Sequence, residues 1–153
     1  MSANTYRTIT LSGETARFSF RGDGSNAVTP GHVLTLNSTG YVSPIATTSA
    51  DVMPLIALEN REGGVVASTA YGTSDMIKCG VFHTGDTGVL IVSANENIAI
   101  GDALESNGAT VAGQVRKFVA DTSAGTIKGR EKIAMALEAA TSTSAFQIKV
   151  MFY

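Results

Sequence analysis

Apolar and polar residues alternate in short runs along most of this chain, and glycine, asparagine, serine and aspartate bound the runs. Successive side chains of a pleated strand point to opposite faces, so each run predicts a half-buried β-strand. Strands are expected at residues 6–12 (YRTITLS), 16–22 (ARFSFRG), 32–37 (HVLTLN), 53–59 (MPLIALE), 75–82 (DMIKCGVF) and 88–93 (GVLIVS). Further strands are expected at 102–106 (DALES), 109–113 (ATVAG), 116–121 (RKFVAD), 132–138 (KIAMALE) and 146–153 (FQIKVMFY). RGDGSN, NSTG, REGG, HTGDTG, SNG and TSAG separate them, and all are turn vocabularies. A rhythm of about ten residues per strand and turn predicts an all-β fold, a compact barrel or sandwich with little helix. One or two helical turns are expected in 61–74 (REGGVVASTAYGTS), and 43–51 (SPIATTSAD) reads as a loop.

The alternation repeats itself. VTPGHVLTLN at 28–37 and IAIGDALESN at 98–107 share an apolar residue three before a glycine, a leucine three after it and an asparagine six after it. The glycines, Gly31 and Gly101, are 70 positions apart, and each is expected to take a positive φ before a strand anchored by Leu34 or Leu104. PLIALE at 54–59 returns as IAMALE at 133–138, and MIKCGVF at 76–82 returns as QIKVMFY at 147–153. Three words recurring in one order predict an internal pseudo-duplication, with repeats over 28–82 and 98–153 packing as a single barrel domain at 28–153. Leu58, Ile77 and Leu137 are expected in the core, whereas His32 and Asp102 are expected at turns facing water.

The N-terminal stretch, residues 1–27, stands apart. Its alternation, carrying Tyr6, Ile9, Leu11, Phe18 and Phe20, fits two readings: an arm that adds as a strand to a neighbouring molecule, or a first hairpin turning at SGET.

Composition narrows the function classes. At 153 residues the chain can bury a core without metal or disulfide support, and no apolar run reaches the roughly 18 residues of a membrane-spanning helix. The first twenty residues lack the basic start and greasy segment of a signal peptide, so synthesis in a cytoplasm is expected. A net charge of −2 supplies no general attraction to nucleic acid or anionic lipid, and the basic word KGREK at 128–132 reads as a solvated turn. The lone Cys79 excludes an internal disulfide, and with His32 and His83 as the only histidines no structural zinc set is expected. No cofactor is expected.

Two tripeptides carry sharper chemistry. Asp86-Thr87-Gly88 is the active-site word of aspartic proteases, in which two carboxylates share a proton across a dimer axis, but FHTG before it and Val89 after it fit a β-turn better. Arg21-Gly22-Asp23 is the integrin-binding tripeptide, and three common residues in a glycine-rich chain also meet by chance. Glu59 and Glu138 end equivalent strands and are expected to face water. The chain has no tryptophan and four tyrosines, a poor supply of platforms for sugar rings.

IVSANENIAIGDALESNGATV at 91–111 followed by IAMALEAATSTSAFQIKVMF at 133–152 resembles the head decoration, or capsid cement, proteins of tailed bacteriophages. The likeness covers 88–153 well and 28–82 more loosely, and it departs at Met135, where the pattern carries glycine or another small residue. It implies a non-enzymatic virion protein, made in the bacterial host cytoplasm, that binds the outer surface of the assembled major capsid protein lattice. It also implies a homo-oligomer, a trimer before a dimer, with no direct contact to nucleic acid or membrane. Under it the arm supplies the contacts, through Tyr6, Arg7, Ile9, Leu11, Arg17 and Phe18. The competing readings are a homodimeric protease using Asp86 and a host-surface adhesin using residues 21–23.

Overall fold

The computed structural model describes residues 6, 8–13, 15–47, 53, 55–120 and 132–153. In chain order its strands begin with β1 (Thr10–Ser12), β2 (Ala16–Arg21), β3 (Leu34–Leu36), β4 (Val42–Pro44), β5 (Leu55–Ala57) and β6 (Met76–Val81). They continue with β7 (Thr87–Val92), β8 (Asn97–Ile98), β9 (Ala103–Ser106), β10 (Val115–Lys117), β11 (Ala134–Ala136), β12 (Ala140–Thr141) and β13 (Phe146–Phe152). Helix among the described residues is a single 3-10 turn, Arg61–Gly63, capped by Asn60.

β7, β10, β9, β11 and β13 pair in that order, and β13 returns to β7 to close a five-stranded barrel. The N-terminal half runs the same circuit. β2, β6 and β5 form one sheet, β3 and β4 a hairpin, and the bridges Val33↔Ile56 and Gly22↔Val42 join the two into a ring. Strand senses agree seam by seam. The parallel seam is Val115↔Val92 in the C-terminal ring and Gly22↔Val42 in the N-terminal ring, and every other seam is antiparallel.

Hydrogen bonds outside the ladders repeat as well. Gly31 N–H donates to Ala57 O at 2.8 Å, as Gly101 N–H does to Ala136 O at 2.9 Å. Asp23 N–H donates to Val42 O as Ser93 N–H does to Val115 O, and Leu58 N–H to Lys78 O as Leu137 N–H does to Lys149 O. Gly31 and Gly101 hold φ of 95° and 88°, the left-handed region that side chains with a Cβ avoid. The repeated sequence words therefore mark repeated backbone.

Alternation places the core. In β5, Leu55 and Ala57 point into the N-terminal ring with Leu34, Val42, Ile77 and Cys79, whereas Ile56 points out of it. Ile56 joins Val33, Ile45 and Leu58 in the second cluster, which fills the C-terminal ring with Leu90, Leu104, Ile148 and Val150 and also cements ring to ring. Phe82 and Phe152 stack there with centroids 4.3 Å apart.

The rings differ from expectation in five places. Where two halves of one barrel are predicted, each half closes its own circuit, because short strands tilted round a five-membered ring suffice to enclose small apolar side chains. Residues 43–44 belong to β4, which pairs with β3 despite its proline, and 109–113 make turns instead of a strand. β1 and β2 form no hairpin: β1 pairs with β7 and β2 with β6, so the two strands belong to different rings. Leu58 and Ile77 are buried, but Leu137 is only half-buried. Leu58 sinks against Gly80, where an added Cβ would lie 3.2 Å from its Cδ1, and the counterpart of Gly80 beside Leu137 is the bulky Met151.

Candidate interaction surface

The N-terminal segment lies between the rings and is held by the two equivalent glutamates. Glu59 accepts from the Thr8 hydroxyl and, at 3.1 Å, from Ile9 N–H. Glu138 accepts from Tyr6 Oη at 2.5 Å and from Lys149 N–H at 2.8 Å. Tyr6 N–H reaches Gln147 Oε1, and Val89 N–H donates to Ile9 O. Both glutamates thus hold the chain's own beginning, which corrects the expectation that they face water. The equivalence of their positions was visible in the sequence, but the ligand was not.

Of the residues expected to contact a partner, Ile9 is 0% exposed in the core of its own chain, and Tyr6 and Leu11 pack partly buried against the same cluster. The expectation that Ile9 reaches a neighbour is therefore corrected: its side chain lies in its own chain's core and its carbonyl accepts from Val89 N–H. Arg7 lies outside the described residues. Arg17 and Phe18 sit on β2, exposed, with Phe18 at 48% and stacked on Phe20 at 6.1 Å.

Asp86 is buried in its own turn. It accepts from His83 N–H at 2.9 Å, and Gly13, at φ 109°, abuts it so closely that a Cβ there would fall 1.9 Å from its Oδ1. A carboxylate fixed this way closes a turn, which is the β-turn reading of that tripeptide. Asp23 likewise accepts from Ser25 Oγ at 2.6 Å and Ser25 N–H at 2.9 Å, and those bonds hold its carboxyl below the ordinary range. Arg21 ends β2 and Gly22 bridges to Val42, so this tripeptide runs out of a strand instead of crowning a loop.

His32 and Asp102 do the same work with different chemistry. His32 Nδ1 accepts from Thr29 N–H at 3.3 Å, and Asp102 Oδ2 from Ala99 N–H at 2.8 Å. His32 is buried, not solvated as expected, because Gly113 and Pro44 cover it, and burial lowers its pKa to about 4. Asp102 is held low by Lys117, 2.8 Å away, and by the Ala99 amide. Beside His32 an open cleft of about 390 Å3 runs between the rings, lined by Thr29, Ile91, Gln114, Phe146 and Gln147.

Among the described residues no three His, Cys, Asp or Glu side chains gather as a metal site, and no helix is long and apolar enough to cross a membrane. The exposed surface with the most distinctive construction is β2. It carries Arg17, Phe18, Ser19 and Arg21 to solvent and flanks a groove of about 280 Å3 that Lys78 and Glu59 also border.

No protein-family model matches the chain, and no curated protein matches it in sequence. Among solved structures it is similar in fold to the N base of the head fiber gp8.5 of bacteriophage phi29, with a TM-score of 0.52 and 15% identity. That similarity covers 92% of this chain and 95% of the other.

Proposed function

We propose that this chain is a structural protein of a tailed-phage virion, a decoration protein that binds the outer face of the assembled major capsid protein shell. One observation carries the reading: the fold shared with the base of a phage head fiber runs through almost the whole length of both chains. The likeness of residues 88–153 to decoration proteins supports it from a separate direction, because it lies in sequence words and not in shape. Function in this reading is linkage. A protein that binds only the expanded shell stabilises that state by its binding free energy at every site. A homo-oligomer, a trimer first, would multiply the contacts each unit makes.

Purified protein mixed with empty, expanded phage heads that lack it should co-sediment saturably, at a fixed ratio to the capsid protein, and raise the temperature at which the heads disrupt. Absence of binding to any expanded head would overturn the reading.

A further inference from the structure

β2 and β7 are equivalent strands, and their equivalence exposes an unfilled place. Register through β6 and β13 matches Arg17, Ser19 and Arg21 to Thr87, Val89 and Ile91. On the β7 edge that faces away from β13, Val89 N–H donates to Ile9 O, Ile91 N–H to Gly31 O and Ser93 N–H to Val115 O. An extended segment, Ile9 with β1, covers the first part of that edge through the antiparallel pairs Thr10↔Gly88 and Ser12↔Thr87.

Among the described residues the corresponding edge of β2 has no such cover. Gly22 N–H donates toward the β6 side, to Asp75 O, and Asp23 N–H donates to Val42 O on the other side. Alternation along the strand therefore turns the amides of Arg17, Ser19 and Arg21 away from β6. Among the described residues β2 pairs with β6 alone and touches β4 only through the Gly22↔Val42 bridge.

We infer that the β2 edge is a docking site for an extended acidic strand of another protein, which takes the place that β1 takes on β7. Three features choose this occupant. First, the chain's own second copy of the site shows what such an edge accepts, an antiparallel strand. Second, Arg17 and Arg21 project from one face and neither has an ion-pair partner among the described residues, whereas Lys78, across the β2–β6 pair, is already held by Glu62 at 3.6 Å. Third, the same arginines oppose self-pairing. Two β2 strands laid antiparallel over their full length would set Arg17 against Arg21 at both ends, and like charges directly opposite repel.

The geometry also sets the pattern of the guest. Acidic side chains four positions apart meet Arg17 and Arg21, and apolar ones at the second and fourth positions meet the half-exposed Phe18 and its neighbour Phe20. The inference deepens the proposed function by naming a surface, and rests on it only for the source of the strand.

The test uses the full-length protein and a synthetic peptide built on Glu-Val-Thr-Val-Glu, with Lys-Val-Thr-Val-Lys as its counterpart. The acidic peptide should shift the amide resonances of residues 17–21 saturably and slow hydrogen exchange at Ser19 and Arg21, while the basic peptide binds at least 10-fold more weakly. Ser19→Pro removes an outward amide without touching the β6 ladder, so it should abolish binding at an unchanged melting temperature. The double variant Arg17→Glu/Arg21→Glu should reverse the peptide preference, and it stands as the deciding measurement where the proline variant fails to fold. Equal binding of both peptides, or no response at 17–21, overturns the site.

Expanded heads separate this inference from the one above. Wild-type protein and a folded Ser19→Pro variant that bind heads equally overturn the β2 site and leave the virion reading intact. Peptide binding that depends on Ser19, with no binding to heads, upholds the site and overturns the virion reading.

Discussion

β7 and β2 occupy the same place in two copies of one circuit, yet five of the six residues of β7 are buried, whereas four of the six in β2 are exposed. Nothing in the circuit itself distinguishes them. The difference is what lies alongside: β7 has the N-terminal segment on one edge and the other ring against its outer face, and among the described residues β2 has neither. Where β7 carries Gly88, pressed by Phe82, Phe152 and the Ile9 carbonyl, β2 carries the half-exposed Phe18. A duplicated fold with a single N-terminal segment can cover only one of two equivalent edges. The covered copy becomes scaffold, and the other keeps an exposed edge strand.

The largest way to sharpen this contrast is the buried ion pair of the C-terminal ring. Glu105 is fully buried and accepts from Arg116 Nε at 2.9 Å, while Thr35 and Ser43 stand at the equivalent positions of the N-terminal ring. Arg116→Ala leaves a buried carboxylate without its cation and should cost about 3–5 kcal/mol in denaturant melts. Ser43→Ala should cost roughly 0.5 kcal/mol or less. Equal losses would break the comparison.

Acid should separate the rings next. His32 is neutral when folded, and its pKa falls to about 4 from an ordinary 6.5, so between those values the unfolded chain binds the extra proton. Its contribution is complete above pH 6.5 and is lost as pH falls toward 4, at most about 3.5 kcal/mol, since a tenfold difference in proton affinity between folded and unfolded chain corresponds to about 1.4 kcal/mol. Asp102, held low by Lys117, loses its contribution only at still lower pH. Stability measured from pH 7 to 4 should therefore decline in wild type and stay flatter in His32→Gln.

Gly88→Ala adds a Cβ 2.9 Å from the Phe82 ring and 3.0 Å from Ile9 O, and should destabilise by about 1–3 kcal/mol. Phe18→Ala at the matching position of β2 should change the melt by roughly 0.5 kcal/mol or less. Smallest of the losses expected on the covered side, Tyr6→Phe removes one hydrogen bond to Glu138 and should cost about 1 kcal/mol, read as faster exchange at Val89, whose amide Ile9 accepts.

The duplication was legible in the sequence because it rests on local necessities: Gly31 and Gly101 at positive φ, Leu34 and Leu104 behind them, and Ile-Lys at the start of β6 and within β13. The equivalence of β2 and β7 was hidden. ARFSFR alternates whereas TGVLIV is a continuous apolar run, because one was shaped for solvent and the other for burial on both faces. Two closed rings, where one barrel was expected, depend on seams as short as Gly22↔Val42, and no periodicity records a single bridge. The arm's alternation announced a strand but not its partner, which turned out to be the chain itself.

The hold on the N-terminal segment also sets an order of events during synthesis. Tyr6 bonds to Gln147 and Glu138, so a segment made early waits for partners made 141 and 132 residues later. The N-terminal ring is complete in sequence at Val81 and has all its strands early, whereas Ile9 finds its niche only after β7 has emerged and β13 has closed on it. Closing so long a loop is slow relative to forming local pairs. A chain cut short before β13 would carry an unpacked Ile9 and an edge of β7 still open, which marks it as unfinished to the cell's proteases. Tyr6 and Ile9 thus act as a seal that sets only once β13 is in place.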